Sequence, residues 1–286
     1  AHHRAMRVSQ ALELAQETVE LSRMARGPDD PETLAGMETL AWVYKSSDTP
    51  AAAVPIAKQA LELTRRRLTK DHPDTLSRMN CLASVYREIG ELALALPLTE
   101  EAFQLTSAKL GRDHPTTLSR MVALAMDYFR TGGVEAGLTH LEDALKITRE
   151  ELGSDHPAAP YILDNIASAY TFAYFAHDAE EGKQALPIGE EALELAKRNL
   201  GPNDPQTHDI MVSLAFAYHE QRMIDKAVPL LEEARELRAA LVGKDHRSMI
   251  PILSSLGRAH AQVGSLDTAV PLYEEAIEMS KAKIGL

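Results

Sequence analysis

The chain has 286 residues, of which 45% are apolar and only 5% aromatic, a composition that favours a core of Ala and Leu between helices over aromatic-rich β layers. Its net charge of −12 argues against nucleic acid and anionic membranes as partners, because both are bound through clustered Lys and Arg. The single cysteine permits no internal disulfide. No signal peptide or long apolar run occurs, so we predict a cytoplasmic protein.

A short segment recurs along the chain from residue 27 onward. Residues 27–34, 69–76 and 111–118 are near-copies of one another, and shorter copies follow at residues 153, 201 and 243. The prolines of the first five copies, at residues 31, 73, 115, 157 and 205, are spaced by 42, 42, 42 and 48 residues. In the sixth copy Arg247, a further 42 residues on, stands in place of the proline. Self-similarity at such a period is typical of repeat architectures.

The period divides the chain into six units and a leading segment. We assign residues 1–6 to a tag remnant and residues 7–286 to a single repeat array. Residues 7–26 are expected to form a lone helix equivalent to the second helix of a unit. The repeats are residues 27–68, 69–110, 111–152, 153–200, 201–242 and 243–286.

Each unit is predicted to contain two helices. Proline suits the first position of a helix because the N–H that it lacks would be unbonded there. The residue before it is then the N-cap, whose side chain accepts a hydrogen bond from a free backbone N–H. These residues are Asp30, His72, His114, His156, Asp204 and His246. An amphipathic run, a break at Gly90 and a second run to Leu110–Gly111 complete a typical unit, Gly111 being suited to a left-handed C-cap.

The pattern Leu82-Ala83, Tyr86, Gly90, Ala95-x-Pro97 and Ala102 resembles the tetratricopeptide repeat (TPR). Together with Gly-x-Asp-His-Pro-x-Thr-Leu, it resembles the 42-residue kinesin-light-chain type, and the match covers nearly the whole chain. The Leu-Ala-x-x-Tyr motif begins again at Leu40, Leu124 and Leu214, recurs with isoleucine first at Ile166, and is matched by Leu256-Gly257…His260 in the last unit. The resemblance implies an all-α fold, a right-handed α-α superhelix (TPR solenoid) with six helix pairs plus a leading single helix.

The residues offer no constellation for catalysis. No Gly-rich phosphate loop, His-Glu-x-x-His pair or Cys-x-x-Cys motif occurs, and the Asp-His pairs lie too far apart to share a metal ion. Cys81 is expected to be a small packed hydrophobe. Acidic pairs such as Glu100–Glu101 and Glu190–Glu191 recur on the second helices, where we expect a solvated acidic surface. We therefore predict no enzyme, no cofactor and no metal.

The resemblance implies that a partner peptide lies in a concave groove lined by the first helices. The family's inward positions, carried over to this chain, give the candidate peptide-binding residues Trp42, Lys45, Asn80, Arg87, Met126, Phe129, Arg130, Asp164, Asn165, Phe172, Phe216, His219 and Arg258. Further lining positions include Ser168, Val212, Ser213 and Ser255.

The candidate groove combines cations with exposed apolar side chains. Lys45, Arg87, Arg130 and Arg258 are cationic, whereas Trp42, Met126, Phe129, Phe172 and Phe216 are expected to supply apolar surface; aromatic and Met side chains flanked by Arg are typical of peptide hot spots. The expected partner is a protein or peptide segment with bulky apolar and acidic side chains. Alternatively, some of these aromatics pack against neighbouring helices.

The sequence departs from the family pattern at two places that bear on the candidate groove. The paired asparagines that hold a ligand backbone in the family survive only as Asn80 and Asn165. The fourth unit has six extra residues within residues 171–183, where Phe172 and Phe175 lie beside Tyr170 and Tyr174. This insertion either extends a helix that buries its own aromatics or forms a local contact site.

The sequence favours a non-catalytic scaffold that binds a protein or peptide, and leaves two alternatives open. The array also resembles the sensor or regulatory arms of larger bacterial signalling proteins, such as a protein kinase or a signalling ATPase. Arrays without polar capping helices expose an apolar end face, which would permit end-to-end self-association.

Overall fold

The computed structural model describes the backbone of residues 2–177 and 183–282, and the side chains of residues 9–173 and 183–281. Within these ranges the protein contains thirteen α-helices and no strand. The first seven helices are α1 (His2–Arg26), α2 (Pro31–Lys45), α3 (Ala53–Arg67), α4 (Pro73–Glu88), α5 (Leu92–Leu110), α6 (Pro115–Arg130) and α7 (Val134–Ile147). The other six are α8 (Ala159–His177), α9 (Ala185–Asn199), α10 (Pro205–Glu220), α11 (Ile224–Val242), α12 (Ile250–Gln262) and α13 (Leu266–Ala282).

The predicted pairing of helices is confirmed. Helix α1 stands before six consecutive pairs, in which α2, α4, α6, α8, α10 and α12 are the first helices. Helix α1 begins at His2, so residues 2–6, assigned to a tag remnant, continue the helix expected from residue 7. Shorter 3₁₀ segments precede α3 at Pro50–Ala52 and α12 at Arg247–Met249, and a π turn follows α7 at Thr148–Leu152.

The chain forms two compact units, residues 1–133 (unit 1) and residues 134–286 (unit 2). The division falls inside the third repeat, between α6 and α7. Within unit 1, each helix packs on the next, and the first helices α2 and α4 also touch. Within unit 2, α8 packs on α10 and α10 on α12. Side chains of successive first helices are therefore neighbours within each unit.

The helix starts follow the predicted capping pattern. All six predicted N-cap side chains accept a hydrogen bond from the backbone N–H two residues later, at 2.8–3.2 Å. The four histidines accept through Nδ1, which requires that nitrogen to be unprotonated. Gly111 has the positive φ expected at a C-cap, although its ψ of 163° lies outside the left-handed helical region.

Alanines let the two helices of each pair approach closely. The motif alanines on the first helices are Ala41, Ala83, Ala125, Ala167 and Ala215, and all are buried. The matching positions on the second helices are Ala60, Ala102, Ala144, Ala192, Ala234 and Ala276, which are buried as well. Because these small side chains fill the space between backbones, the other faces of the first helices remain available for longer side chains.

Candidate binding face of the first helices

Unit 1 presents Trp42 and Lys45 together at the end of α2. The Trp42 side chain is exposed, and the Lys45 Nζ lies 4.9 Å from its ring centroid, a cation–π contact. The same Nζ lies 3.9 Å from Glu88 Oε2 on α4. The lysine is therefore engaged on both sides within unit 1.

Asp127 accepts hydrogen bonds from both arginines of unit 1 that we expected to face a ligand, Arg87 and Arg130. Its Oδ2 accepts hydrogen bonds from Arg87 Nη1 on α4 and from Thr99 Oγ1 on α5, both at 2.7 Å. Its Oδ1 accepts one from Arg130 Nη1 at 3.2 Å. The Asp127 side chain is only 3% exposed, so Arg87 and Arg130 already contact a carboxylate of the protein, although the Arg130 side chain remains 38% exposed.

The apolar surface expected in unit 1 is also smaller than the sequence suggests. Phe129 is fully buried, so the expectation that it lines an accessible groove is wrong, and the alternative that some of these aromatics pack against neighbouring helices fits it better. Met126 on the same helix is half-buried, and Asn80 on α4 is exposed.

Unit 2 brings several predicted lining residues around one cavity of about 300 Å³. Asp164 and Ser168 reach it from α8, Ser213 and Phe216 from α10, and Ser255 from α12. Helix α9 contributes Gly189 to the wall of the cavity. An added Cβ at this position would lie 3.0 Å from Leu214 Cδ1 on α10. The cavity therefore depends on a close approach that glycine permits.

Asp164 is the charged group in this cavity. Burial raises its pKa to about 7 because desolvation penalises the carboxylate, and the negative charge of Asp209 acts in the same direction. A hydrogen bond with the Ser213 side chain opposes the shift. Asp209 itself accepts a hydrogen bond from Arg238 Nη2 at 2.6 Å.

The predicted residues of unit 2 differ in exposure, and Asn165, Phe172, His219 and Arg258 do not line this cavity. Phe216 is 39% exposed, and the guanidinium carbon of the exposed Arg258 lies 5.3 Å from its ring centroid. Asn165 and Phe172 are half-buried. His219 is half-buried, with its Nδ1 3.2 Å from Glu220 Oε1.

The acidic pairs on the second helices have a role that sequence reasoning missed. Their second carboxylates form ion pairs with basic residues one repeat earlier, in Arg65–Glu101, Arg149–Glu191, Lys197–Glu233 and Arg235–Glu275. The first carboxylates of two pairs accept hydrogen bonds from motif tyrosines, in Tyr128–Glu100 and Tyr218–Glu190. The spacing of 36–42 residues between the ion-pair partners is the signal that could have revealed this register. These four glutamate side chains remain 33–46% exposed, so the solvated acidic surface also provides contacts between repeats.

Other predicted features have simple structural outcomes. Cys81 is buried, and burial raises the pKa of its thiol to about 12. Three or more potential ligands for a metal ion do not cluster anywhere in the described residues, and none of the helices described there could cross a membrane. Helix α8 extends through His177 with Tyr170 buried, whereas the side chains of Tyr174 and Phe175 lie outside the described residues.

Helix α13 carries an exposed apolar stripe. Leu266, Val270, Tyr273 and Ile277 are 37–60% exposed, and their spacing places them on one side of the helix. In α11 the equivalent positions, 42 residues earlier, belong to a helix that packs against α12. These four side chains are apolar surface that no helix of the described residues covers completely.

Comparison with known protein families assigns the chain to one of them. Two sequence profiles described as tetratricopeptide repeat match it, one over residues 1–66, 165–238 and 206–282 and the other over residues 75–116 and 117–158. The chain therefore belongs to the tetratricopeptide-repeat family, whose fold is generally a non-catalytic protein-interaction scaffold. No curated protein sequence matches it significantly.

Solved structures agree with this assignment. A kinesin-light-chain-type protein of Podosopora anserina with nearly identical TPR-like repeats is 25% identical, with a TM-score of 0.55 over 72% of this chain and 95% of that chain. BtubC (BKLC) from P. vanneervenii is 17% identical, with a TM-score of 0.52 over 98% of this chain and 93% of that one. RapI in its apo form is 13% identical, with a TM-score of 0.58 over 96% and 92%. The last two similarities show the fold alone.

Proposed function

We propose that this protein is a non-catalytic scaffold that holds a peptide segment of a partner protein against the groove face formed by its first helices. The observation that supports this most strongly is in unit 2. Phe216 remains 39% exposed beside a cavity of about 300 Å³, a volume at the lower end of the range for ligand pockets. An exposed aromatic ring next to a concave site is typical of a peptide anchor.

The expected ligand combines bulky apolar and acidic side chains. Arg258 stacks on Phe216 and forms no ion pair with any residue that the structure describes, so an acidic ligand side chain can reach it. In unit 1, by contrast, Arg87 and Arg130 already contact Asp127. An acidic contact is therefore expected in unit 2, while unit 1 offers Trp42 as an apolar contact.

Selection of random short peptides, followed by titration of the selected sequences, tests this function. Phe216→Ala is expected to weaken binding by about tenfold or more, since removal of a hot-spot aromatic costs about 2 kcal/mol. Arg258→Gln should weaken only peptides that contain an acidic residue. Leu241→Ala is the matched control because Leu241 is an exposed apolar residue on the second helix α11.

Two results would contradict the proposal. The first is that the wild-type protein selects no peptide. The second is that selected peptides bind the Phe216→Ala and Leu241→Ala variants equally well. Fluorescence polarisation measures each affinity, and circular dichroism verifies that the variants keep their helices.

Self-association is a second candidate interaction, and the exposed stripe on α13 favours it. The residues concerned are Leu266, Val270, Tyr273 and Ile277. A second copy that packs on this stripe would bury apolar surface that the described chain leaves in water.

A further inference from the structure

The cavity of unit 2 contains a carboxylate that has no cation to neutralise it. No ion pair or cation contact joins Asp164 to any side chain of the described residues, and its polar partner is the hydroxyl of Ser213. Arg238, on α11, is engaged by Asp209 and by His208. Arg258 lies over Phe216 instead.

This arrangement is costly for the protein when nothing fills the cavity. A half-buried carboxylate that has no positive partner loses part of its hydration, and one hydroxyl does not replace it. The raised pKa of Asp164 is the expression of that cost in the folded protein. The neighbouring charge from α10 is Asp209, which is negative and adds to the cost.

The other walls of the cavity suit a long side chain with a polar tip. Val212, Leu214 and the exposed ring of Phe216 provide apolar surface, whereas Ser168 and Ser255 provide hydroxyl oxygens that can accept hydrogen bonds. Lys and Arg side chains have this division, with an apolar stem and a cationic head that only donates.

We propose that the cavity lined by Asp164, Ser168, Ser213, Phe216 and Ser255 binds a lysine or arginine side chain of the partner segment. The cationic head pairs with the Asp164 carboxylate, and the methylene stem packs along Val212 and Phe216. An apolar side chain would leave the carboxylate without a partner, and an acidic one would be repelled by it. The inference rests on the proposed function and adds a basic residue to the expected ligand.

Peptide libraries with one fixed residue provide the test. Each library carries Lys, Arg, Gln, Glu or Leu at the fixed position, and the remaining positions are random. The wild-type protein is expected to bind the Lys and Arg libraries about tenfold more tightly than the Gln library, as for a desolvated charge pair. Asp164→Asn should abolish that preference, so that the Lys, Arg and Gln libraries bind this variant with similar affinities.

A matched control separates the local contact from a general change of charge. Asp245→Asn removes the same charge from an exposed position of unit 2, between α11 and α12, and should keep the preference for Lys and Arg. Ser168→Leu narrows the cavity from an exposed position of α8 without a change of charge, and should lose the preference. Melting curves of each variant verify folding, so two independent variants test the cavity.

The outcomes distinguish the inference from the proposed function. A preference for Lys and Arg that persists in both Asp164→Asn and Ser168→Leu would overturn the inference alone. So would free L-arginine or butylamine binding as tightly as the peptides, because the cavity would then be a site for a small amine. If no library binds the wild-type protein, the proposed function and the inference both fail.

Discussion

Each unit has a carboxylate on a first helix, fully buried at Asp127 and half-buried at Asp164, and the surroundings of the two carboxylates differ. Asp127 in unit 1 accepts hydrogen bonds from Arg87, Arg130 and Thr99, so its charge is compensated inside the protein. Asp164 in unit 2 has a serine hydroxyl and an open cavity. The same repeat thus produces a closed internal contact in one unit and an available acceptor in the other.

This difference shows why the type of residue alone does not identify a binding position. The cations of unit 1 were expected to serve a ligand, yet Arg87 joins α4 to α6 through Asp127, and Arg130 contacts the same carboxylate from its own helix. The sequence places Asp164 among the candidate lining residues, but the acidic ligand expected from the cations gives this carboxylate no role. A charged residue on a groove face is available only if the neighbouring helix does not already satisfy it.

The largest difference between the units is expected from their phenylalanines. Phe129→Ala removes a fully buried ring from unit 1 and should lower the free energy of unfolding by about 3–5 kcal/mol. Phe216→Ala removes a partly exposed ring from unit 2 and should cost much less stability while weakening peptide binding. Urea unfolding monitored by circular dichroism gives both values. Equal losses of stability would break the distinction between a core residue and a binding residue.

A somewhat smaller loss is expected when the contact at Asp127 is removed. Asp127→Ala leaves Arg87 and Thr99 without their acceptor and should destabilise unit 1 by about 3 kcal/mol, as for a broken buried ion pair. Trp42 is the only tryptophan in the chain and lies in unit 1, so its fluorescence during urea unfolding reports on this unit. Glu32→Ala, at an exposed ion pair with Arg26, is the control and should cost under about 1 kcal/mol. A loss at Asp127 no larger than this control would refute the role of the buried pair.

The smallest effect is expected at Asp164 and depends on pH. Because its pKa is raised from the ordinary value of 3.8 to about 7, the folded state favours the protonated carboxyl. The stability that the carboxyl contributes is therefore present below about pH 4 and is lost as the pH rises through 7. Asp164→Asn should be more stable than the wild type at pH 8. The expected difference is about 1.4 kcal/mol, the free energy that corresponds to a change of one in the pKa.

Thermal melting of both proteins at pH 4 and pH 8 checks this sign. The two proteins should melt at nearly the same temperature at pH 4, where the wild-type carboxyl is neutral. An Asp164→Asn variant that is less stable than the wild type at pH 8 would mean that the carboxylate is compensated, as it is at Asp127. That result would also remove the physical basis for a cationic ligand in the cavity.

The sequence by itself determined the repeat, the six helix pairs and the caps. These features depend on residues close together in the chain: a proline that suits the first turn, an Asp or His whose side chain reaches the N–H two residues later, and alanines at helical spacing. The burial of Cys81 follows from the same periodicity. Local rules sufficed because each repeat supplies the same neighbours to the next.

The tertiary structure decided which of the candidate residues are available. Whether Arg87 is free depends on Asp127, 40 residues later, and whether Phe129 is exposed depends on the tertiary packing around α6. The cavity at Asp164 requires side chains from three first helices and the close approach of α9 at Gly189. Such contacts join residues of different repeats at positions where the repeats differ, so the periodicity that predicts the fold has no information about them.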